Sequence, residues 1–112
     1  MGAALSAAQI AEKLRSLPGW RHDGGALARE YTTDGWPSTL LLVSAIGFFA
    51  EAADHHPDLA VSWGAGGVRL STHSAGGVTP ADFELARLIE QTALWRPRPG
   101  DALRGTKRKF VQ

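Results

Sequence analysis

The hydrophobic and polar positions divide this chain into helix-like and strand-like blocks. Ser6-Ala-Ala-Gln9 has the spacing of a capping box: a hydroxyl caps the first turn and an amide three residues on reaches back. A helix is predicted over about 7–16, closed by Pro18-Gly19. Residues 20–22 read as a short strand, and Gly24-Gly25 can turn with positive φ. Residues 26–32 place Leu27, Arg29 and Tyr31 on one side and read as the second strand of a hairpin.

From Gly35 to Ala50 no residue is charged. Pro37 suits a first helical turn, where its missing N–H costs nothing. Leu40, Val43, Gly47 and Ala50 fall on one face, and Leu42, Ile46, Phe49 and Ala53 on another. Such a helix has no broad stripe for water. The uncharged run, with Ser38, Thr39, Ser44 and two glycines, is too short and too polar for a membrane span. One face is therefore expected on a sheet and the other on a second copy of the chain.

Leu59, Val61 and Trp63 alternate with Ala60 and Ser62; Gly64-Ala-Gly-Gly67 reads as a turn; Val68, Leu70 and Thr72 alternate with Arg69, Ser71 and His73. This is a second hairpin, with His73 expected at a strand end, on the face opposite Val68 and Leu70. Thr79-Pro80-Ala-Asp82 starts a last helix, with Thr79 as cap and Asp82 at the positive end of the dipole. Phe83, Leu85, Leu88, Ile89 and Thr92 form its expected apolar stripe, ending near Leu94 before Pro97 and Pro99. The order is α-β-β-α-β-β-α: an α+β, two-layer domain with a four-stranded antiparallel sheet and helices packed on one face.

Composition adds limits. A chain of 112 residues with 44% hydrophobic content suits one folded domain. The absence of cysteine removes disulfides and thiolate chemistry. The N-terminus lacks a basic segment followed by a long apolar one, so a cytoplasmic protein is expected. Residues 96–112 hold six of the 12 Lys/Arg and one of the 11 Asp/Glu, a local charge of +5, leaving −4 on residues 1–95. The chain thus divides into a domain over 1–95 and a basic, solvated C-terminal extension over 96–112. Only Phe110 interleaves the basic residues, which does not support nucleic-acid reading.

Glu51, Asp54, His55, His56, Asp58, His73 and Asp82 gather near the ends of the predicted elements, and three of the four histidines are among them. Imidazole gives and takes protons near neutrality, so the cluster suits elimination, hydration or isomerisation. Each residue alone has a plainer role. His55-His56-Pro57 can simply end a helix, His73 can decorate a surface, Asp82 can cap, Glu51 can follow a buried run, and Trp63 can pack in a core. Zinc is the rival chemistry. Adjacent histidines rarely face one metal, and no His-x₃-His pair is present, so no metal is expected.

The spacing Glu51, His55-His56-Pro57, Trp63, His73, Asp82 closely resembles the pterin-4a-carbinolamine dehydratases. So does the run LSTHSAGGVTPADFELARLIEQTA. The resemblance covers about residues 17–93. Trp63 stands where the family often has Tyr, and Val61 where it has Asn. It implies a hydro-lyase, a 4a-hydroxytetrahydrobiopterin dehydratase, that converts 4a-hydroxytetrahydropterin to quinonoid dihydropterin and recycles the cofactor of a pterin-dependent hydroxylase. The implied reaction needs no organic cofactor. The resemblance also implies a homodimer or homotetramer. The family's catalytic histidines fall on His55, His56 and His73, and its carboxylates on Glu51 and Asp82. Asp82 is expected to hold an imidazole in one tautomer or to accept from the substrate. Pro57, Leu59, Trp63, Ser71 and Thr72 are expected around the pterin, with backbone groups near 59–63 and 71–72 bonding the ring edge. A non-catalytic dimerisation cofactor or assembly chaperone on the same fold is the alternative.

Overall fold

The computed structural model describes residues 3–112; Met1 and Gly2, where the leader reading begins, lie outside them. The elements are α1 (Ala7–Leu14), β1 (Arg21–Asp23), β2 (Ala26–Thr32), α2 (Trp36–Ala53), β3 (Asp58–Ser62), β4 (Ala65–Leu70) and α3 (Pro80–Ala93). A single 3₁₀ turn, His73–Ala75, joins β4 to α3. The strands form one antiparallel sheet in the order β1-β2-β4-β3. The expected α-β-β-α-β-β-α order and α+β class are those observed.

Period-two patterning sets the sheet's register. Leu27 and Tyr31 of β2 and Val68 and Leu70 of β4 point into the core beneath the helices. Arg21, Asp58 and Arg69 lie in one cross-strand row on the other face. Burying each large apolar side chain contributes about 1.5–3 kcal/mol. A one-residue slip would lose several of these at once, so the buried face fixes the pairing.

The capping box at α1 is present: Ser6 N–H donates to Gln9 Oε1 at 2.8 Å and Gln9 N–H to Ser6 Oγ at 3.1 Å. The expected turn over 64–67 is shorter. Ala65 pairs with both Ser62 and Thr32, so Ala65, Gly66 and Gly67 belong to β4. Glycine at 66 has a packing reason, since a Cβ there would sit 3.1 Å from Leu42 Cδ2 of α2. Helix α2 runs three residues past Ala50, to 18 residues. By length and composition alone it could cross a membrane. Here Ser38, Thr39, Leu42, Ile46 and Ala50 are buried in the domain. The buried side of α3 is Asp82, Phe83, Leu85, Ala86, Ile89 and Ala93; Leu88 and Thr92 lie off it, because the stripe turns with Asp82 and Ala86 facing inward.

The C-terminal segment is not a solvated extension throughout. Residues 98–109 are exposed, but Val111 is 3% exposed and part of the core, and Thr33 and Val111 form an antiparallel bridge.

Candidate active site

The site begins where α2 stops. Asp54 takes the left-handed conformation (φ 52°), and the N–H of His55 reaches back to Ala50 O at 3.0 Å. This 6→1 closure reverses the chain. Pro57 then holds His56 extended and feeds β3. The short sequence Asp54-His55-His56-Pro57 thus stops a helix, aims two imidazoles and starts a strand.

Across from it the chain leaves β4 at Leu70. Thr72 N–H donates to Gly77 O at 2.9 Å, and Thr72 O accepts from Ala75 N–H at 3.0 Å and Gly76 N–H at 3.0 Å. This tight turn raises the exposed His73 at its head. His73 is therefore the first residue of a 3₁₀ turn, not part of β4; β4 ends because Thr72 bonds its own loop instead of a neighbouring strand. Asp54, His55, His56, Ser71, Thr72, His73 and Ser74 line one open cleft of about 230 Å³.

Asp82 lies behind the cleft wall, fully buried. Its Oδ1 is 2.6 Å from His55 Nε2, and its Oδ2 accepts from Thr72 Oγ1 at 2.8 Å and Thr79 N–H at 2.9 Å. Thr72 Oγ1 and Thr79 Oγ1 are 2.8 Å apart. Thr72 has one hydroxyl proton, given to Asp82, so Thr79 is the donor in that last pair. A buried carboxylate with three donors accepts from His55 Nε2–H, which leaves the lone pair of neutral His55 on Nδ1. The second imidazole is tied less firmly. His56 Nε2 lies 2.9 Å from Glu51 Oε1, and both side chains are largely exposed.

The expected pterin contacts divide. Ser71 lines the cleft. Thr72 lines it too, but its backbone N–H and C=O and its hydroxyl are all bonded within the protein, so it cannot offer its backbone to a ligand as expected. Pro57 is partly buried at the entry to β3, and Leu59 packs against the core. β3 is an edge strand, so alternate backbone groups point away from β4. Trp63 is not at the cleft. It follows the far end of the five-residue β3, about 16 Å on at strand rise, where its carbonyl accepts from Thr39 Oγ1 at 3.1 Å. A straight strand between the two explains the separation. Among the described residues no three His, Asp or Glu side chains converge as metal ligands.

The sequence reading missed a second polar centre. Glu90 Oε1 accepts from Trp20 Nε1–H at 3.0 Å, Arg29 Nε–H at 3.2 Å and Tyr31 Oη–H at 2.5 Å. Burial works against the Glu90 charge, but the hydrogen bonds from Tyr31, Arg29 and Trp20 prevail and hold its carboxyl below the usual range. Burial, then the adjacent Glu90, pushes the Tyr31 hydroxyl up. The signal was a carboxylate eight residues from Asp82, two steps of four along the same helix face.

The family model described as pterin 4 alpha carbinolamine dehydratase matches residues 3–92. Curated proteins bearing the name pterin-4-alpha-carbinolamine dehydratase are similar to this chain. The Roseiflexus castenholzii protein is 41% identical over 91 residues, covering 81% of this chain and 98% of that one. The Nocardia farcinica protein is 42% identical over 89 residues, covering 80% and 94%. A solved structure described as a transcriptional coactivator/pterin dehydratase from Brucella melitensis superposes with a TM-score of 0.73 at 31% identity, covering 78% of this chain and 95% of that one.

Proposed function

The chain belongs to the pterin 4 alpha carbinolamine dehydratase family, and on that premise we propose that its histidine cleft dehydrates a 4a-hydroxytetrahydropterin to the quinonoid dihydropterin. In that reaction the C4a–O bond breaks, the hydroxyl takes a proton and leaves as water, and N5 gives up its proton as the C4a=N5 bond forms. Electrons and atoms balance with one acid and one base.

His56 and His73, from the two segments that line the cleft, act as the acid–base pair. Glu51 steadies His56 at 2.9 Å. His55, fixed by Asp82, presents Nδ1 to the pterin and orients it. Ser71 and the outer edge of β3 supply hydrogen bonds to the ring edge. Acid and base each contribute about 10²–10⁴-fold in rate.

The observation that carries this reading is that three imidazoles from two separate segments line one cleft. The test is the ultraviolet decay of freshly generated 4a-hydroxytetrahydropterin with and without protein. Acceleration is expected, reduced about 10²–10⁴-fold in His73→Ala. Because His73 is exposed, its stability should change by no more than about 0.5 kcal/mol. Decay at the spontaneous rate with folded protein would sink the proposal.

A specific observation favours a second, compatible reading as a protein-binding module. Leu41 and Phe48 of α2 are exposed, and the Brucella neighbour is described partly as a transcriptional coactivator. His73→Ala would separate the two readings, removing dehydration while leaving association intact.

A further inference from the structure

Residues 96–112 lie beyond the matched segment, which ends at residue 92. Pro97 and Pro99 prevent continuation of α3. The chain then loops through solvent, with Asp101 Oδ2 accepting from Arg98 N–H at 2.8 Å, and returns to the domain at Arg108.

Three kinds of contact hold the return. Along the backbone, Thr32 N–H donates to Gln112 O at 3.0 Å, Gln112 N–H to Thr32 O at 2.8 Å, and Asp34 N–H to Phe110 O at 3.3 Å. Among apolar groups, Val111 is buried, and Phe110 and Val111 form one wall of a cleft of about 190 Å³ between α2 and α3. Leu42, Ile46, Ile89 and Ala93 supply others of its walls. Among charges, Arg108 Nε donates to Asp34 Oδ2 at 2.6 Å, and its Nη2 donates to Asp34 Oδ1 at 3.2 Å and Ser38 Oγ at 2.8 Å. Arg96 Nη2 donates to Val111 O at 2.7 Å, so the two ends of the loop are joined.

We propose that residues 96–112 are a strap, latched by Arg108 on Asp34 and Ser38, that ties the C-terminal end of α3 to the N-terminal end of α2 and closes one side of the apolar cleft between them. The helix pair is then clamped at both ends: by His55 on Asp82 at one, and by the strap at the other. The +5 segment lies on a −4 body, which favours the closed arrangement. The latch is exposed and bidentate, whereas Val111 is a buried apolar staple. Salt therefore weakens the latch more than the staple. Opening the strap uncovers Leu42, Ile46, Ile89 and Ala93 while the four-stranded sheet stays paired.

The test is residue-resolved amide exchange and binding of an apolar fluorescent dye, on the full chain and two full-length variants. In Arg108→Ala combined with Val111→Asp, exchange at Thr32, Asp34 and Gln112 should rise at least about tenfold, the equivalent of about 1.4 kcal/mol. Dye should bind, while the Thr79 amide held by Asp82 keeps its protection. In the unaltered chain, about 1 M salt, which shortens screening to roughly 3 Å, should speed the same three amides, and Arg108→Ala alone should lose that salt response. Unchanged exchange and no dye binding in the double variant would overturn the strap. Loss of protection throughout the sheet would overturn it equally, because the segment could then not open apart from the rest of the domain. A salt response that persists in Arg108→Ala would remove the assigned latch.

Discussion

His55 Nε2 and Asp82 Oδ1 stand 2.6 Å apart although 27 residues separate them in sequence. The contact joins the end of α2 to the start of α3, and Thr72 and Thr79 complete it from behind. Asp82 caps its helix and holds an imidazole at once. Asp82→Asn keeps the shape and an oxygen for the Thr79 N–H. It also turns an acceptor into a donor, so His55 must accept at Nε2 and its proton moves to Nδ1. The variant should fold, lose about 10²-fold or more in dehydration rate, and show an altered pH–rate profile. Asp82→Ala instead leaves Thr72 and Thr79 donors unpaired and should cost about 1–3 kcal/mol of stability. Urea unfolding beside single-turnover rates separates the two effects; an Asn variant with native rates would remove the positioning role.

The Glu90 centre makes a different prediction because it touches no part of the histidine cleft. Trp20, Arg29 and Tyr31 all give hydrogen bonds to one carboxylate, and the Arg29 guanidinium lies 4.1 Å from the Tyr31 ring centre. Glu90→Ala leaves a partly buried guanidinium without its partner. The loss should be about 2–3 kcal/mol, somewhat under the 3–5 of a fully buried pair. Glu90→Gln should recover part of it by accepting from Trp20 and Tyr31. The check is the urea midpoint at constant slope; a shift under about 0.5 kcal/mol in Glu90→Ala would show the network to be incidental.

Much of this arrangement was legible in the residues. One capping box, Thr79 as a cap, Pro37 and Pro80 at helix starts and period-two strands gave the element order, and the gathering of histidines at element ends pointed to a shared cleft. What escaped depends on three-dimensional neighbours. Gly66 looks like a turn residue until α2 is laid over β4. Trp63 looks like a site residue until the straight run of β3 carries it away. Glu90 is one charge on α3 without a visible partner in the sequence, and β2 brings Arg29 and Tyr31 to it. A tail with six cations reads as solvated because Val111 and Phe110, which return it, are only two residues among many polar ones.

Asp34 gives stability a pH dependence of known sign. Hydrogen bonds from Arg108 and then Ser38 lower its carboxyl from an ordinary 3.8 to about 2. A folded-state value below the unfolded one stabilises the native state above the unfolded value, and the contribution disappears as pH falls through the folded value. The Glu90 carboxyl is held below its usual range as well, so the useful quantity is the difference between the unaltered chain and Asp34→Asn. That difference should be full above about pH 4 and should shrink steadily toward about pH 2. Urea unfolding across this range measures it. A difference that does not change with pH would show that the carboxylate charge takes no part.

Leu41 and Phe48 lie seven residues apart on α2, with Ala45 between them on the same stripe, and are 59% and 71% exposed. Two large apolar groups in register on the uncharged stretch of α2 suit the face of a second copy better than they suit water. Burying one Phe contributes about 1.5–3 kcal/mol, and a symmetric contact uses it twice. Phe48→Glu should therefore weaken self-association about 10²–10⁴-fold, and Leu41→Glu should do so by a comparable factor. Sedimentation across a concentration series reads both. A purely monomeric unaltered chain, or variants with unchanged mass at every concentration, would leave this stripe without a partner of its own kind. Neither outcome would alter the histidine cleft, because the stripe runs along the middle of α2 and the cleft begins only after its last turn.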